Sequence, residues 1–224
     1  MAEKIAITIS RQFCCGGAVI GQIVASRLGF QYADREVLLL SAQSLGLPVE
    51  EISWRDERVA STWEKITELF TFGLPDVTYT APPFQTVTDE NLFKLECRII
   101  QELADREDCV IVGRGGLHVL RDHPAAVHVF LHAPAEFRIK LAMEAYNVPT
   151  EEKALSLIQE SDRTRQTYLA RMAKYDWLCS TNYHLTLNTG VMTLENAAEI
   201  IIDFVKLRTG RQDFHSKPLK GSNS

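Results

Sequence analysis

The chain has 224 residues, 46% of them hydrophobic and 24% charged, with a formal net charge of −5. That balance fits a globular domain with a full core and excludes a general nucleic-acid or polyanion binder, so any basic site must be local. No apolar run nears the ~20 residues of a membrane span, and "MAEKIAITI" lacks the pattern of a secretion signal, so a cytoplasmic protein without nucleic-acid or membrane partners is expected.

The first element is "KIAITIS" (4–10), β-branched and almost continuously apolar, as in a strand covered on both faces. A glycine pair follows, and then a helix over 18–28 with Val19, Ile20, Ile23, Val24 and Leu28 along one face. A short second strand is expected at "GFQYAD" (29–34). Residues 36–90 break the alternation with helical stretches at Glu36–Leu45 and Glu57–Thr71 and an irregular piece between them and 90. A segment of that length reads as a helical, substrate-side insertion, and as a candidate contact for a homodimer. From 91 to 106 a helix carries Leu92, Leu95, Ile99, Ile100 and Leu103 behind a cap at Thr88 or Asp89.

"DCVIVG" (108–113) and "AVHVFLHA" (126–133) are the third and fourth strands, and Pro134 opens a helix through Glu136, Arg138 and Leu141. "ESDRTRQTY" (160–168) is helical, and the span from 134 to 180 reads as a lid region. A weaker strand, "YHLTLNT" (183–189), precedes a helix capped by Thr193 with Leu194, Ala198, Ile201 and Val205 as its stripe. The polar tail over 210–224 is expected to be flexible. Strands alternating with helices predict an α/β domain over 1–209, its mostly parallel sheet covered on both sides, with ligands beyond the carboxyl ends of the strands.

Two glycine turns stand at such strand ends. In "RQFCCGGA" the residues Arg11, Gln12, Phe13, Cys14, Cys15, Gly16, Gly17 and Ala18 join strand to helix. A tight turn there aims backbone N–H groups inward, and a helix start adds partial positive charge, which together seat an anion. The usual phosphate-loop lysine and Ser/Thr are missing after the glycines, so a simple strand–helix turn accounts for the same residues. The nearest cation is Arg11. In "VIVGRGG" the strand delivers Arg114 between glycines, and a guanidinium held there suits bidentate phosphate binding. Arg163 and Arg165 are two apart and cannot share one helical face, so one of them is expected at a site. Arg138 and Lys140 add cations after strand four, and Asp34 is a candidate Mg²⁺ ligand or acceptor contact that a helix cap explains equally well. The five cysteines form no C-x-x-C pair, His128 and His132 have no third ligand beside them, and the tryptophans are isolated; packing roles are expected for all of these.

The blocks "ITISRQ…GG…IG…VASRLG", "YADREVL", "VIVGRGG…VL", "VFLHAPAEFRI", "DRTR" and "YHLTLNTGVMTLENAAEII", in that order, resemble the cytidylate-kinase-like family of P-loop proteins over nearly the whole chain. The resemblance implies a three-layer α/β/α P-loop NTPase fold with a five-stranded sheet. It also implies transfer of the γ-phosphoryl of ATP, with Mg²⁺, to a nucleoside monophosphate or a related small acceptor. By it, residues 11–18 hold the donor phosphates, and Asp34, Arg35 and Arg114 face the acceptor. Arg138 and the Arg163/Arg165 segment close from the lid side, making Arg114, Arg138, Arg163 and Asp34 the catalytic set and Arg165 a substrate contact. The family loop commonly reads Gly-Ser-Gly-Gly before a basic residue where this chain has Cys14-Cys15-Gly16-Gly17-Ala18. Cytidylate kinases carry Gly-Arg-Asp where this chain has Gly113-Arg114-Gly115. A nucleotide- or phosphate-binding regulatory module on the same fold is the second reading of these departures.

Overall fold

A computed structural model describes residues 3–34, 89–113 and 115–214. Arg35, Arg114, nearly all of the expected insertion and the end of the tail lie outside the described residues. Five strands, β1 (Ala6–Arg11), β2 (Gln31–Ala33), β3 (Cys109–Val112), β4 (Ala126–His132) and β5 (Leu185–Asn188), form one sheet in the order β2-β3-β1-β4-β5. Every neighbouring pair is parallel, with Ile7 opposite both Val110 and Val127.

The helices are α1 (Gly17–Leu28), α2 (Asp89–Arg106), the single turn α3 (Gly116–Val119), α4 (Ala135–Tyr146), α5 (Glu151–Met172) and α6 (Leu194–Thr209). Side-chain alternation along β1 sorts them into layers. Ile5, Ile7 and Ile9 face Ile20 and Val24 of α1 and Ile201 and Val205 of α6, whereas Ala6 faces Ile100 and Leu103 of α2. Both faces of the central strand are therefore buried, and the Thr8 hydroxyl on the Ala6 face meets His128 Nδ1 at 2.7 Å. Thr193 caps α6 by accepting from the Asn196 N–H at 3.1 Å, and Gly29 ends α1 in the left-handed region with φ 71°.

The α4–α5 hairpin is packed onto the strand ends instead of standing clear of them. Phe13 and Cys14, from the loop after β1, share a cluster with Ala142 of α4 and with Ala154 and Ile158 of α5. The first tail residues are likewise held, since Arg211 pairs with Asp108 at 2.6 Å and Phe214 packs edge-on against Phe30 at 5.7 Å. No described helix is long and apolar enough to cross a membrane.

Candidate functional site

Strand β1 is the switch point of the sheet, because the chain moves to β3 and β2 on one side of it and to β4 and β5 on the other. The crevice such a switch creates lies at the carboxyl end of β1, where the loop 12–16 begins. The loop turns sharply, with Cys14 at φ 56° and Gly16 at φ 78°. A methyl at Gly16 would stand 2.5 Å from Cδ2 of Leu194, so the backbone conformation and the packing both call for glycine there. Gly16 is also the N-cap of α1 and supplies no side-chain acceptor, so the first-turn amide donors of α1 lack a side-chain cap.

Arg11 leaves the end of β1 and lies across this helix start. A methyl at Gly17 would meet its Cγ at 2.8 Å. One at Gly113, after β3, would stand 3.3 Å from its Cζ and nearer still to Nη1. The aliphatic stem of Arg11 thus crosses the N-terminus of α1 and sets the guanidinium at the end of β3, over two positions without side chains. It makes no ion pair or hydrogen bond with a described residue. A half-buried cation, unpaired among the described residues and close to uncapped helix donors, is an arrangement that can seat an anion.

The other side of the loop is gripped from the hairpin. Asp162 Oδ1 accepts from the Phe13 N–H at 2.8 Å, while Arg138 donates its Nε–H to the Phe13 carbonyl at 2.7 Å. Arg138 Nη2 pairs with Asp162 Oδ2, and Arg165 approaches Asp162 Oδ1 at 3.6 Å. The Phe13 ring stacks on Tyr146 with centroids 5.2 Å apart, and the Arg165 guanidinium lies 5.6 Å from its centre. Arg138 is only 6% exposed and faces the loop backbone. Arg163 points elsewhere: it is exposed, has no described partner, and lines a cavity of about 350 Å³ with Gln12, Arg138, Asp162, Gln166 and Trp177. The indole N–H of Trp177, 2% exposed, has no hydrogen-bond acceptor among the described residues.

The cysteines of the loop belong to its framework. Cys15 donates to the Gln12 carbonyl at 3.1 Å, and its own carbonyl accepts from the buried Thr189 hydroxyl at 2.9 Å. Burial pushes its thiol up to about 11, against the opposing fields of Arg11, Arg165 and Arg138, which all converge on it. It is not a nucleophile. Asp34 directly follows β2, where its buried carboxylate accepts from the Tyr32 hydroxyl at 3.2 Å. That hydroxyl also lies 3.4 Å from the Ala18 carbonyl, which sets Asp34 beside the first turn of α1. Among the described residues no three His, Cys, Asp or Glu stand together as a metal group.

Of the sequence-derived candidates, the fold therefore brings Arg11, Gln12, Phe13, Cys14, Cys15, Gly16, Gly17, Arg138 and Arg165 to one loop, with Arg163 on the adjoining cavity. Sequence reasoning missed Asp162 as the partner of the loop. A family model described as the cytidylate kinase-like family matches residues 6–191. The chain belongs to that family. No curated protein matches it. Among solved structures, an uncharacterized protein from Eubacterium ventriosum ATCC 27560 is similar, with TM-score 0.65 and 20% identity over 92% of this chain and 99% of that one. Shikimate kinase from Bacteroides thetaiotaomicron is similar at TM-score 0.51 and 13% identity, over 90% of this chain and 98% of that one. At those identities the likeness concerns the fold, a three-layer α/β/α P-loop architecture with an all-parallel sheet.

Proposed function

We propose that the protein is a nucleotide kinase that moves the γ-phosphoryl group of ATP to a nucleoside monophosphate, cytidylate-like, or to a related small phosphorylatable acceptor. The observation that carries this reading is Arg11, which has no partner among the described residues and whose stem crosses the uncapped start of α1 to set its guanidinium at the end of β3. Phosphoryl transfer asks the protein mainly for positioning and for positive charge around the transferred group. Arg11 and the α1 amides supply both on the donor side. Arg163, on the adjoining cavity, is a second candidate cation, and Arg114 is the remaining candidate for the acceptor.

Bound Mg²⁺ would neutralise charge on the donor phosphates. The loop offers it no Ser or Thr hydroxyl, so the fit is to the ordinary mode in which magnesium keeps several waters and takes one carboxylate plus phosphate oxygens. Asp34, linked through the Tyr32 hydroxyl to the first turn of α1, is the candidate carboxylate for this mode.

A second reading, binding without turnover, is favoured by one specific feature: neither a lysine nor a hydroxyl follows Gly17. A thermal-shift panel of ATP, GTP and nucleoside monophosphates with Mg²⁺, followed by transfer assays on each hit, separates the readings. ATP at a hundred times its Kd adds about 2.7 kcal/mol of stability, an upward shift in Tm of roughly 5–10 °C for a chain of this size. No shift with any donor nucleotide at millimolar concentration refutes both readings; a shift without transfer to any acceptor leaves the regulatory one.

A further inference from the structure

We propose that Asp162 is a positioning residue for the phosphate loop: with Arg138 it holds Phe13 by both of its backbone polar atoms, so that the α4–α5 hairpin, and not a loop lysine, sets the loop's register. The proposal rests on the reading of residues 11–18 as a phosphate loop. Its own observations are independent of any ligand.

Phe13 lies midway between the last strand residue and the helix cap, where a loop without a lysine has least to fix it. Its N–H donates to Asp162 and its C=O accepts from Arg138, and the two side chains are paired to each other, closing a ring of contacts around the backbone of one residue. The Phe13 ring, 9% exposed, is wedged between Tyr146 and Arg165. A residue held at both of its backbone polar atoms and anchored by its ring cannot change its φ or ψ without breaking several contacts at once. Charge-assisted hydrogen bonds are the strong class, and the pair is shielded, with the Arg138 side chain 8% and the Asp162 side chain 19% exposed.

The grip also sorts the arginines. Arg138 and Arg165 are tied to Asp162 and to the loop, whereas Arg11 and Arg163 have no described partner and face the crevice and the cavity. Asp162 thereby cancels positive charge under the loop and leaves it where a phosphate would lie.

The test uses the full chain with MgATP and inorganic tripolyphosphate as probes, by calorimetric titration, alongside amide exchange of Phe13 followed by NMR. Asp162→Ala is expected to weaken both probes at least tenfold and to raise Phe13 amide exchange at least tenfold. Asp162→Asn, which keeps an oxygen acceptor for the Phe13 N–H, is expected to restore affinity to within about threefold of the native chain and to keep the amide protected. Wild-type affinity in a folded Asp162→Ala chain overturns the proposal, and so does tighter binding, which would make the carboxylate a competitor of the ligand. Should Asp162→Ala not fold, the Phe13 amide in the native chain decides: exchange at the rate of an unstructured peptide overturns the proposal, and protection that survives in Asp162→Asn supports it. If the native chain binds neither probe, the nucleotide reading fails, while the exchange measurements still test the grip.

Discussion

Lowering the pH from 8 to 5 should destabilise this protein through His128, and the size of the effect follows from where that side chain sits. His128 is 5% exposed on β4, with Nδ1 2.7 Å from the Thr8 hydroxyl of β1. Its ring stacks on His184 at 4.9 Å, and its backbone N–H donates to His184 Nδ1 at 2.9 Å. Burial first, then the charges of His184, Arg208 and Arg121, hold its pKa down near 4 from an ordinary 6.5. His184 is lowered too, by burial and by Arg208. Because the native pKa is depressed, the unfolded chain binds the extra proton between pH 6.5 and 4, and stability is lost as pH falls through that window. A separation of about 2.5 units is worth about 3 kcal/mol when complete, of which roughly 2 kcal/mol is lost by pH 5. That corresponds to a fall in Tm of about 4–8 °C. The assay is calorimetric melting at pH 8, 6.5 and 5 for the native chain and for His128→Gln, since carboxylate contributions are common to both and cancel in the difference. Coincident pH slopes for the two chains would refute the reasoning.

Other outcomes follow from the loop. Arg11→Gln should raise the KM for the donor nucleotide by about 10–100-fold, the worth of a lost charge-assisted contact of roughly 1.5–3 kcal/mol, with Arg11→Lys intermediate; steady-state kinetics with varied ATP checks this. Gly16→Ala forces a left-handed alanine, at a cost of about 1–2 kcal/mol, into the Leu194 side chain, so its Tm should fall and its nucleotide shift should shrink. Cys15, 1% exposed with its thiol pushed up to about 11, should resist iodoacetamide at pH 7.5 in the native state while the half-buried Cys179 is alkylated. Mass spectrometry of the digested protein reads the two sites separately. Equal labelling of both would contradict the burial of the loop.

Much of the architecture was legible in local pattern. Largely apolar runs at 4–10, 108–113 and 126–133 predict strands, and each appears within two residues of its observed ends. Thr193 and Gly29 mark helix ends because capping is decided by a residue and its immediate neighbours. The turn α3 has no amphipathic period and was not legible. The α4–α5 hairpin reads as a lid from its position after β4, but its packing onto Phe13 and Cys14 depends on residues more than a hundred positions away.

The same distinction divides the site. Composition and spacing place glycines at two strand ends and arginines near them, because turn chemistry and strand burial are written into adjacent residues. They do not say which arginine is free. Arg138 and Arg163 look alike in the chain, yet one is 6% exposed against the loop backbone and the other is exposed on a cavity. Asp162 sits unremarked in "ESDRTRQTY", since an aspartate in a helix carries no local signal of its partner; that partner, the Phe13 amide, is 149 residues distant. The sequence by itself determined the sheet, the layers and the place of the loop. Which side chains face a ligand and which hold the loop was decided only when the parallel crossovers brought β1, β3 and the hairpin to one edge, because charge pairing depends on distance in space and not along the chain.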